Sequence, residues 1–179
     1  MTAPTRRAFV LALGAGLALP GSARAADADR QAEVARRGAA VMPFDLKATT
    51  HVFTKTARGG TQQVLARDPA DRAQVRLARK HLKALRGQFM KGDFSDPERI
   101  HGVDMPGLAE LRAAPRRSVH VGYAEVPGGA ALTYTTYDTA LAAALHRWFD
   151  AQLADHGGDA MAGHAHPAGG TAPGPKTRP

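Results

Sequence analysis

The chain has 179 residues, 44% of them hydrophobic and 22% charged, and it contains no cysteine. This composition is typical of a globular domain and excludes collagen-like and mainly disordered proteins. The absence of cysteine excludes disulfides, iron–sulfur clusters, thiolate metal sites and cysteine nucleophiles. The net charge of +8 comes without a nucleic-acid recognition motif, so we expect no nucleic-acid partner.

Residues 1–25 have the pattern of a cleavable export signal. Two adjacent arginines, Arg6 and Arg7, precede an apolar run that is shorter than the roughly 20 residues of a membrane-spanning helix. Residues 23–25 (Ala-Arg-Ala) then supply the small-x-small pattern of a cleavage site near Ala25. The arginine pair resembles the twin-arginine signal of bacteria. The sequence therefore predicts a periplasmic or secreted protein with no transmembrane segment.

An N-terminal arm or short helix is predicted at 26–42, and a first structural unit follows it. Runs of β-branched and aromatic residues at 49–56 and 61–67 flank a Gly-Gly turn, which predicts a β-hairpin. Asp68 is placed to cap a helix that extends to about Phe89, because apolar residues then recur at spacings of three and four.

A second unit repeats this order. Strand-like runs at 118–125 and 130–137 flank a Pro-Gly-Gly turn. Asp138 then caps a helix at 139–156, and two glycines end it. The order of hairpin, capping aspartate and amphipathic helix is therefore the same in both units.

The two units, at about 49–90 and 118–157, predict a single α+β domain at 43–158. The arrangement that buries both helices is a four-stranded antiparallel sheet with the helices packed on one face, a two-layer sandwich. A pseudo-twofold axis between the units would bring the helices together at a seam. The central segment 92–107 is rich in turn formers and is predicted to be a loop across this seam. Residues 159–179 contain few large apolar side chains and are predicted to be a flexible tail.

Histidine is abundant, with eight in the chain, and it is the commonest metal ligand in proteins. A thioether ligand biases such a site toward copper, with zinc and nickel as alternatives. The central loop carries one His and one Met four residues apart, and each long helix carries a histidine that would lie near the seam. The candidate ligands are His81, His101, Met105 and His146, with Asp150 as a hydrogen-bond partner that orients His146, and His164 and His166 as a weak site in the tail.

Other interpretations of these residues stay open. Met105 can fill the core while His101 bonds the loop backbone, and His81 and His146 can be interior histidines. The basic face of the first long helix can be a solvated surface, or it can steer a small anionic ligand into a pocket that needs no metal. The sequence does not define the oligomeric state, and a homodimer is compatible with it.

An enzymatic role is the least supported of the alternatives. A hydrolase or transferase could use His101 together with the acidic residues of the central loop. No nucleophile elbow, phosphate-binding loop or H-E-x-x-H motif is present, however. We therefore expect an exported metal-binding or metal-handling protein, with copper favoured. The acidic residues that the alternative enzymatic role would use are Asp93, Asp96 and Glu98.

Several stretches carry a resemblance to a known family: M-P-F-D-L (42–46), T-H-V-F (50–53), G-D-F-S-D-P (92–97), I-H-G-x-x-M-P-G (100–107) and H-x-W-F-D-A-Q-x-x-D-H-G (146–157). They resemble a family of small exported bacterial proteins without an established function, over roughly residues 42–158. Some relatives of this kind are labelled aspartate carbamoyltransferase, but the carbamoyl-phosphate motif S-T-R-T is absent here. The resemblance therefore implies a shared shape and supplies no catalytic residues.

Overall fold

The structure is a computed structural model that describes residues 20–164. Most of the predicted export signal, and His166 with the rest of the predicted tail, lie outside this range. The helices are α1 (Pro20–Ala39), α2 (Arg72–Phe89), α3 (Ser95–His101), α4 (Leu108–Ala113) and α5 (Thr139–His156), with a 3₁₀ turn at Gly157–Asp159. The strands are β1 (Thr49–Thr56), β2 (Gly59–Ala66), β3 (His120–Val126), β4 (Gly129–Thr135) and β5 (Ala160–Ala162).

The strands form one mixed sheet in the order β3-β4-β2-β1-β5. The four long strands are antiparallel, as predicted, but β5 adds a fifth strand that runs parallel to β1. The prediction of a four-stranded antiparallel sheet is therefore wrong in this detail, while the α+β class is confirmed. Residues 160–162 were predicted to belong to a flexible tail because residues 159–179 contain few large apolar side chains. Main-chain pairing holds them instead, including a bond of 2.8 Å from Gly163 N to Phe53 O.

The two hairpins are equivalent in register. Gly59 pairs with Thr56 in the first hairpin, and Gly129 pairs with Val126 in the second, so a shift of 70 residues (129 − 59) superposes them. Strands β2 and β4 pair antiparallel, and the shift relates Gln62 to its own partner Leu132. A pseudo-twofold axis therefore passes through this pair.

The long helices repeat in the same way, and both have 18 residues. Asp71 caps α2 and Asp138 caps α5, each by accepting two main-chain N–H bonds, so the helices superpose with a shift of 67 residues (138 − 71). The predicted cap of α2, Asp68, instead bonds the turn before the helix, at Ala70 N. The shift makes His81 equivalent to Trp148, and it does not relate His81 to His146.

Helices α2 and α5 pack on one face of the sheet. Phe53 and Tyr134 point from the strands to this face, where Phe149 and Phe89 meet them at ring-centroid distances of 5.2 and 6.1 Å. The core they form is fully buried, with Trp148 only 1% exposed. Burial of such aromatic side chains is the main stabilising contribution that a domain of this size can draw on.

The central segment 92–107 is not the simple loop that was predicted, because it contains α3. Phe94 and Ile100 anchor this short helix in the core, and Gly102, with φ of +89°, ends it. Helix α1 is longer than the predicted arm and includes the predicted cleavage position near Ala25. It packs against α3 and α5 through buried Val34. Both differences arise from burial against other elements, which turn-forming residues do not reveal.

The basic face of α2 is partly committed to the fold. Arg86 donates to the carbonyl oxygen of Val121 at 3.0 Å, and Arg79 donates to Gly129 at the same distance. These guanidinium groups therefore satisfy main-chain acceptors of β3 and β4 and are only partly free to steer an anionic ligand. Across residues 20–164, no helix combines the length and apolarity needed to cross a bilayer.

Candidate functional site

A cavity of about 30 Å³ lies between α2, α3, α5 and the inner face of the sheet. It sits over the pseudo-twofold axis, because Gln62 lies on its floor and the equivalent residues His81 and Trp148 both line it. Its lining is unusually rich in groups that can bind a metal. Four histidines and one methionine contribute to it: His51, His81, His101, His156 and Met42.

Local structure explains how three of these histidines reach the cavity. His51 lies in β1 on the same face as Phe53, and alternation along a strand directs both side chains to the core. His101 is the last residue of α3 and His156 the last residue of α5. Each of these helices stops at a glycine with positive φ, so the terminal histidine stays inside while the chain turns away. Their exposed fractions are only 3%, 3% and 8%.

The imidazole rings are in direct contact. His51 and His156 stack in parallel planes, with centroids 4.6 Å apart and an interplanar angle of 8°. His101 meets His156 edge-on, at 5.1 Å and 82°. The ring of Phe44 contacts both His51 and His81, at centroid distances of 5.8 and 5.4 Å. His156 is therefore the central ring of a buried histidine cluster.

His101 is oriented by Asp155 and Arg30. Its Nδ1 lies 2.8 Å from Asp155 Oδ2, and the guanidinium of Arg30 binds both oxygens of the same carboxylate at 2.9 and 2.7 Å. Arg30 also donates to the carbonyl oxygen of His101 at 2.6 Å. Since an ionised carboxylate only accepts hydrogen bonds, Nδ1 carries a proton, and the lone pair of the neutral form of the ring is at Nε2. A carboxylate behind a histidine is a frequent arrangement at metal sites.

The environment favours neutral imidazoles and an ionised carboxylate. Burial, aided by the neighbouring His101, lowers the pKa of His156 to about 4. Burial likewise puts the pKa of His51 well below its usual value and lowers that of His81. Burial opposes ionisation of Asp155, but the hydrogen bonds from His101 and Arg30 outweigh it and bring its pKa to about 2. At neutral pH the rings of His51, His81 and His156 are therefore uncharged.

Two buried nitrogen atoms lack a hydrogen-bond partner among the described residues, His51 Nδ1 and Trp148 Nε1. Both belong to side chains that line the cavity. A neutral imidazole carries one N–H and one lone pair, so His51 Nδ1 is either an unpaired donor or an unpaired acceptor. Unpaired buried polar atoms are costly and rare in native proteins, and these two are the groups that a ligand or ordered water in the cavity would satisfy.

A larger groove of about 300 Å³ lies on the other side of His156. Helix α1 forms one wall, and Asp155 and Asp159 lie on the other. Lys47 neutralises Asp159 across the groove, with Nζ 2.7 Å from Oδ2. The groove connects solvent to the central ring of the histidine cluster, since His156 lines both spaces.

The structure places the predicted site residues in different surroundings. It brings His81 and His101 to the same cavity, but Met105 is 4% exposed within the apolar core and does not line it. His146 Nε2 lies 3.0 Å from both Thr56 O and Gly59 O, so this ring closes the first hairpin turn. The remaining two lie at the surface: Asp150, which pairs with Lys55 at 2.5 Å, and His164, which follows β5.

The acidic residues of the central segment serve the fold. Asp93 accepts from Ser95 N at the start of α3. Asp96 lines the histidine cavity but binds Gln88 and Arg99, and Glu98 pairs with Arg112. None of these three carboxylates pairs with His101, so none is placed as its acid–base partner.

Sequence reasoning missed a second group of site residues: Met42, His51, His156, Asp155 and Arg30. Two of these residues could have been found from their positions in the sequence. His51 alternates with Phe53 on one side of β1, and His156 is the last residue of an amphipathic helix, immediately before two glycines. The contacts of Asp155 with His101 and Arg30 span 54 and 125 residues of sequence, and no local pattern announces them.

The arrangement has the donors of a metal site but not yet its geometry. Within residues 20–164, no three His, Asp or Glu side chains converge on one point as ligands. The parallel stack explains this, because a ring binds an ion in its own plane and the planes of His51 and His156 do not meet. Comparison of the chain with protein-family models, curated proteins and solved structures finds no match.

Proposed function

We propose that the chain is an exported metal-binding or metal-handling protein that holds its ion in the histidine cavity. The observation that carries this proposal is His51 Nδ1, a nitrogen that is buried and unpaired beside a cavity that three further histidines line. Metal binding would replace the stacked arrangement of His51 and His156 by convergent ligation. Export to the periplasm rests on the pattern of residues 1–25.

Protonation supports this proposal. A histidine must be neutral to bind a metal, and protons therefore compete with the ion. The lowered pKa values of His51, His81 and His156 remove most of this competition at neutral pH. The carboxylate of Asp155 in turn fixes the tautomer of His101 that leaves Nε2 free.

The donor set favours copper. The cavity offers imidazole nitrogens and the thioether of Met42, which is 6% exposed. Soft sulfur ligands select copper over magnesium, calcium or manganese, and imidazole suits copper, zinc and nickel alike. Copper is therefore the favoured ion, with zinc as the main alternative.

A small anionic ligand in the groove beside His156 is the second candidate. The groove has a volume of about 300 Å³, which is at the lower end of the range for ligand pockets. Lys47 at its edge could bind a carboxylate, although this cation already pairs with Asp159. Such binding would survive a chelator and would weaken with added salt.

The single tryptophan gives a direct test of the metal site. Trp148 lines the cavity, so Cu(II) bound there should quench its fluorescence. The full chain with His164→Ala and His166→Ala, which lacks the tail histidines, is titrated with Cu(II), Cu(I) and Zn(II). A bound ion should also stabilise the fold by about 2.7 kcal/mol at a hundredfold excess over Kd, measured by thermal melting.

Matched variants locate the binding. His51→Gln and His156→Gln should each abolish quenching at the Cu(II) concentration that saturates the parent protein. His120→Gln changes an exposed histidine of β3 and should leave the titration unchanged. Equal quenching in His51→Gln and His120→Gln, or no stabilisation by any of the three ions, would refute the proposed site. For export, the protein recovered from the periplasm should begin at Ala26 by mass spectrometry.

A further inference from the structure

The outer face of the sheet, on the side away from α2 and α5, receives no charged side chain from the four long strands. Alternate residues of each strand point to this face, four from each and sixteen in all. The two charged residues of these strands point to the helix side instead. Lys55 pairs there with Asp150 of α5. Glu125 pairs there with Arg79 of α2.

Small and weakly polar side chains form the outer face in rows across the strands. Pairing between strands places Thr54, Thr61 and Thr133 side by side. The apolar members of the face are Val52, Leu65, Ala124, Val126, Ala131 and, on β5, Met161. Met161 is 55% exposed, which is unusual for so large an apolar side chain. The face is therefore a surface without long charged side chains, which another layer of protein can approach closely.

This lack of charge is more typical of an interface than of a solvated surface. In a chain that is 22% charged, about three of sixteen residues would be charged. Depletion of charged residues is the compositional mark of the centre of protein–protein interfaces. The net charge of +8 opposes association through the rest of the surface, because two copies repel each other there. A charge-free face is where a second copy can approach at the lowest electrostatic cost.

We propose that the outer face binds the outer face of a second copy of this chain in a symmetric dimer. Two sheets that stack in this way lie about 10 Å apart and bury their facing side chains between them. The histidine cavity lies on the helix side of the sheet, so each copy keeps its own. The dimer is therefore independent of the proposed metal site.

The area of the face sets the strength of this contact. Four strands about 4.8 Å apart, with seven paired residues at about 3.4 Å each, give roughly 450 Å² on each copy. Strand β5 extends the face on one side, so two stacked copies bury roughly 1,000 Å², the lower limit of specific interfaces. A weak dimer, with a Kd on the order of 10 μM, is expected for an interface of this size.

The segment 165–179 is the other candidate occupant, because the described chain ends beside the same face. A Cβ on Gly163 would lie 2.1 Å from Thr54 Oγ1 and 3.0 Å from Val52 Cγ1. This segment contains no large apolar side chain, however, and it carries two positive charges. A second copy offers the apolar residues of its own outer face and is therefore the better match.

Sedimentation velocity of the full chain, at protein concentrations above and below the expected Kd, tests the dimer. A chelator is present throughout, so that metal bridging by tail histidines cannot hold two copies together. Thr133→Arg places a charge on the face at an exposed position, and symmetry places two such charges in one interface. We expect this variant to weaken the dimer by more than about tenfold, because like charges are then buried together.

Ala84→Arg is the matched control, since it adds the same charge at an exposed position of α2, on the opposite side of the sheet. It should leave the Kd of the dimer within about twofold of the parent value. Circular dichroism checks that each variant folds, and Ala124→Arg, also exposed on the outer face, replaces Thr133→Arg if that variant does not.

Three results would overturn the inference. The first is a full chain that stays monomeric at every concentration. The second is a dimer that the arginine on the outer face and Ala84→Arg weaken equally, which would place the contact on another surface. The third is a full chain that is monomeric but dimerises once it ends at His164, which would make the segment 165–179 the occupant of the face. None of these results bears on metal binding.

Discussion

Asp155 is the residue that connects the most parts of the candidate site. Its carboxylate accepts from Arg30 of α1 and from His101 of α3, while the residue itself belongs to α5. Its side chain is 12% exposed and that of Arg30 is 43% exposed, so the pair lies at the border between core and solvent. Salt would weaken the Arg30 contact more than the buried contact with His101.

Asp155→Asn is expected to weaken metal binding by roughly 10–100-fold, the usual cost of removing a group that orients a ligating histidine. Because an amide can donate as well as accept, asparagine no longer restricts His101 to the tautomer that frees Nε2. The matched control is Asp150→Asn, since the sequence predicts a role for Asp150 but the structure pairs it with Lys55 at the surface. Calorimetric Cu(II) titration measures both. Equal losses in the two variants would contradict the assignment to Asp155.

Asp150 and Asp155 show which hydrogen-bond partners can be predicted from sequence patterns and which cannot. Asp150 was predicted as a partner because it lies four residues after His146 on one helix face, and such spacing is legible in sequence. Asp155 acts on His101, 54 residues away, through the packing of α3 on α5. Contacts of this second kind form only in the assembled fold. A partner suggested by local spacing could therefore be predicted from the sequence, whereas a partner held by tertiary packing could not.

At the scale of elements, the two long helices are fixed at their N-termini by one aspartate each. Asp71→Ala and Asp138→Ala should each lower the free energy of unfolding by about 1 kcal/mol, because each leaves two main-chain N–H groups without their acceptor. Urea denaturation measures the loss. Asp68→Ala serves as the control, and a loss equal to that of Asp71→Ala would restore the cap predicted from sequence.

Gly107 sets how closely α4 approaches α5. A Cβ at this position would lie 2.1 Å from Ala144 O, and its φ of +80° is left-handed. Gly107→Ala should therefore cost about 1 kcal/mol for the backbone and about 1–3 kcal/mol more for the overlap.

Gly92→Ala is the matched control for this prediction. Its φ is +76°, but no atom lies within 4 Å of the added Cβ, so only the backbone cost of about 1 kcal/mol should remain. Thermal or urea unfolding of both variants gives the difference. Similar losses at Gly92 and Gly107 would contradict the close helix contact.

Elements with their own periodicity were predictable, and elements held by others were not. Helix α5 has the bounds that capping and spacing predict, Thr139 to His156. Helix α3 was taken for a loop because its sequence is rich in turn formers, and burial of Phe94 and Ile100 decides its conformation. Strand β5 was missed for a related reason, since its stabilisation comes from main-chain pairing with β1 and leaves no trace in side-chain type.

For the molecule as a whole, the pseudo-twofold axis explains where the cavity lies but not its chemistry. The symmetric halves place His81 opposite Trp148 and Leu85 opposite Gln152, and all four line the cavity over Gln62. Three of the four histidines in its lining, His51, His81 and His156, lie in repeated elements but have no histidine at the equivalent position of the other half. Outside the repeat, α3 contributes His101, and Arg30 of α1 binds the Asp155 carboxylate behind it. The symmetry therefore fixes the position of the cavity, and residues that differ between the halves supply most of its polar groups.

Concentration of histidines at one place makes global stability depend on pH. The folded-state pKa of His156 is about 4, against an ordinary value of 6.5, and that of His51 is shifted in the same direction. Between these two values the unfolded chain binds a proton at His156 that the folded chain excludes. Stability is therefore full above about pH 6.5 and decreases as the pH falls toward 4. Asp155, with its pKa of about 2, adds a further loss below about pH 3.8.

The metal-free protein should lose roughly 3 kcal/mol of unfolding free energy between pH 6.5 and pH 4 through His156 alone, since each pKa unit corresponds to about 1.4 kcal/mol. His156→Gln removes the titrating group, so its unfolding free energy should fall less over this interval than that of the parent chain. Urea denaturation in the presence of a chelator, at several pH values, measures both slopes. His120→Gln, at an exposed position, should keep the parent slope. A slope that His156→Gln leaves unchanged would mean that another group carries the acid sensitivity and that His156 already accepts a proton in the folded state.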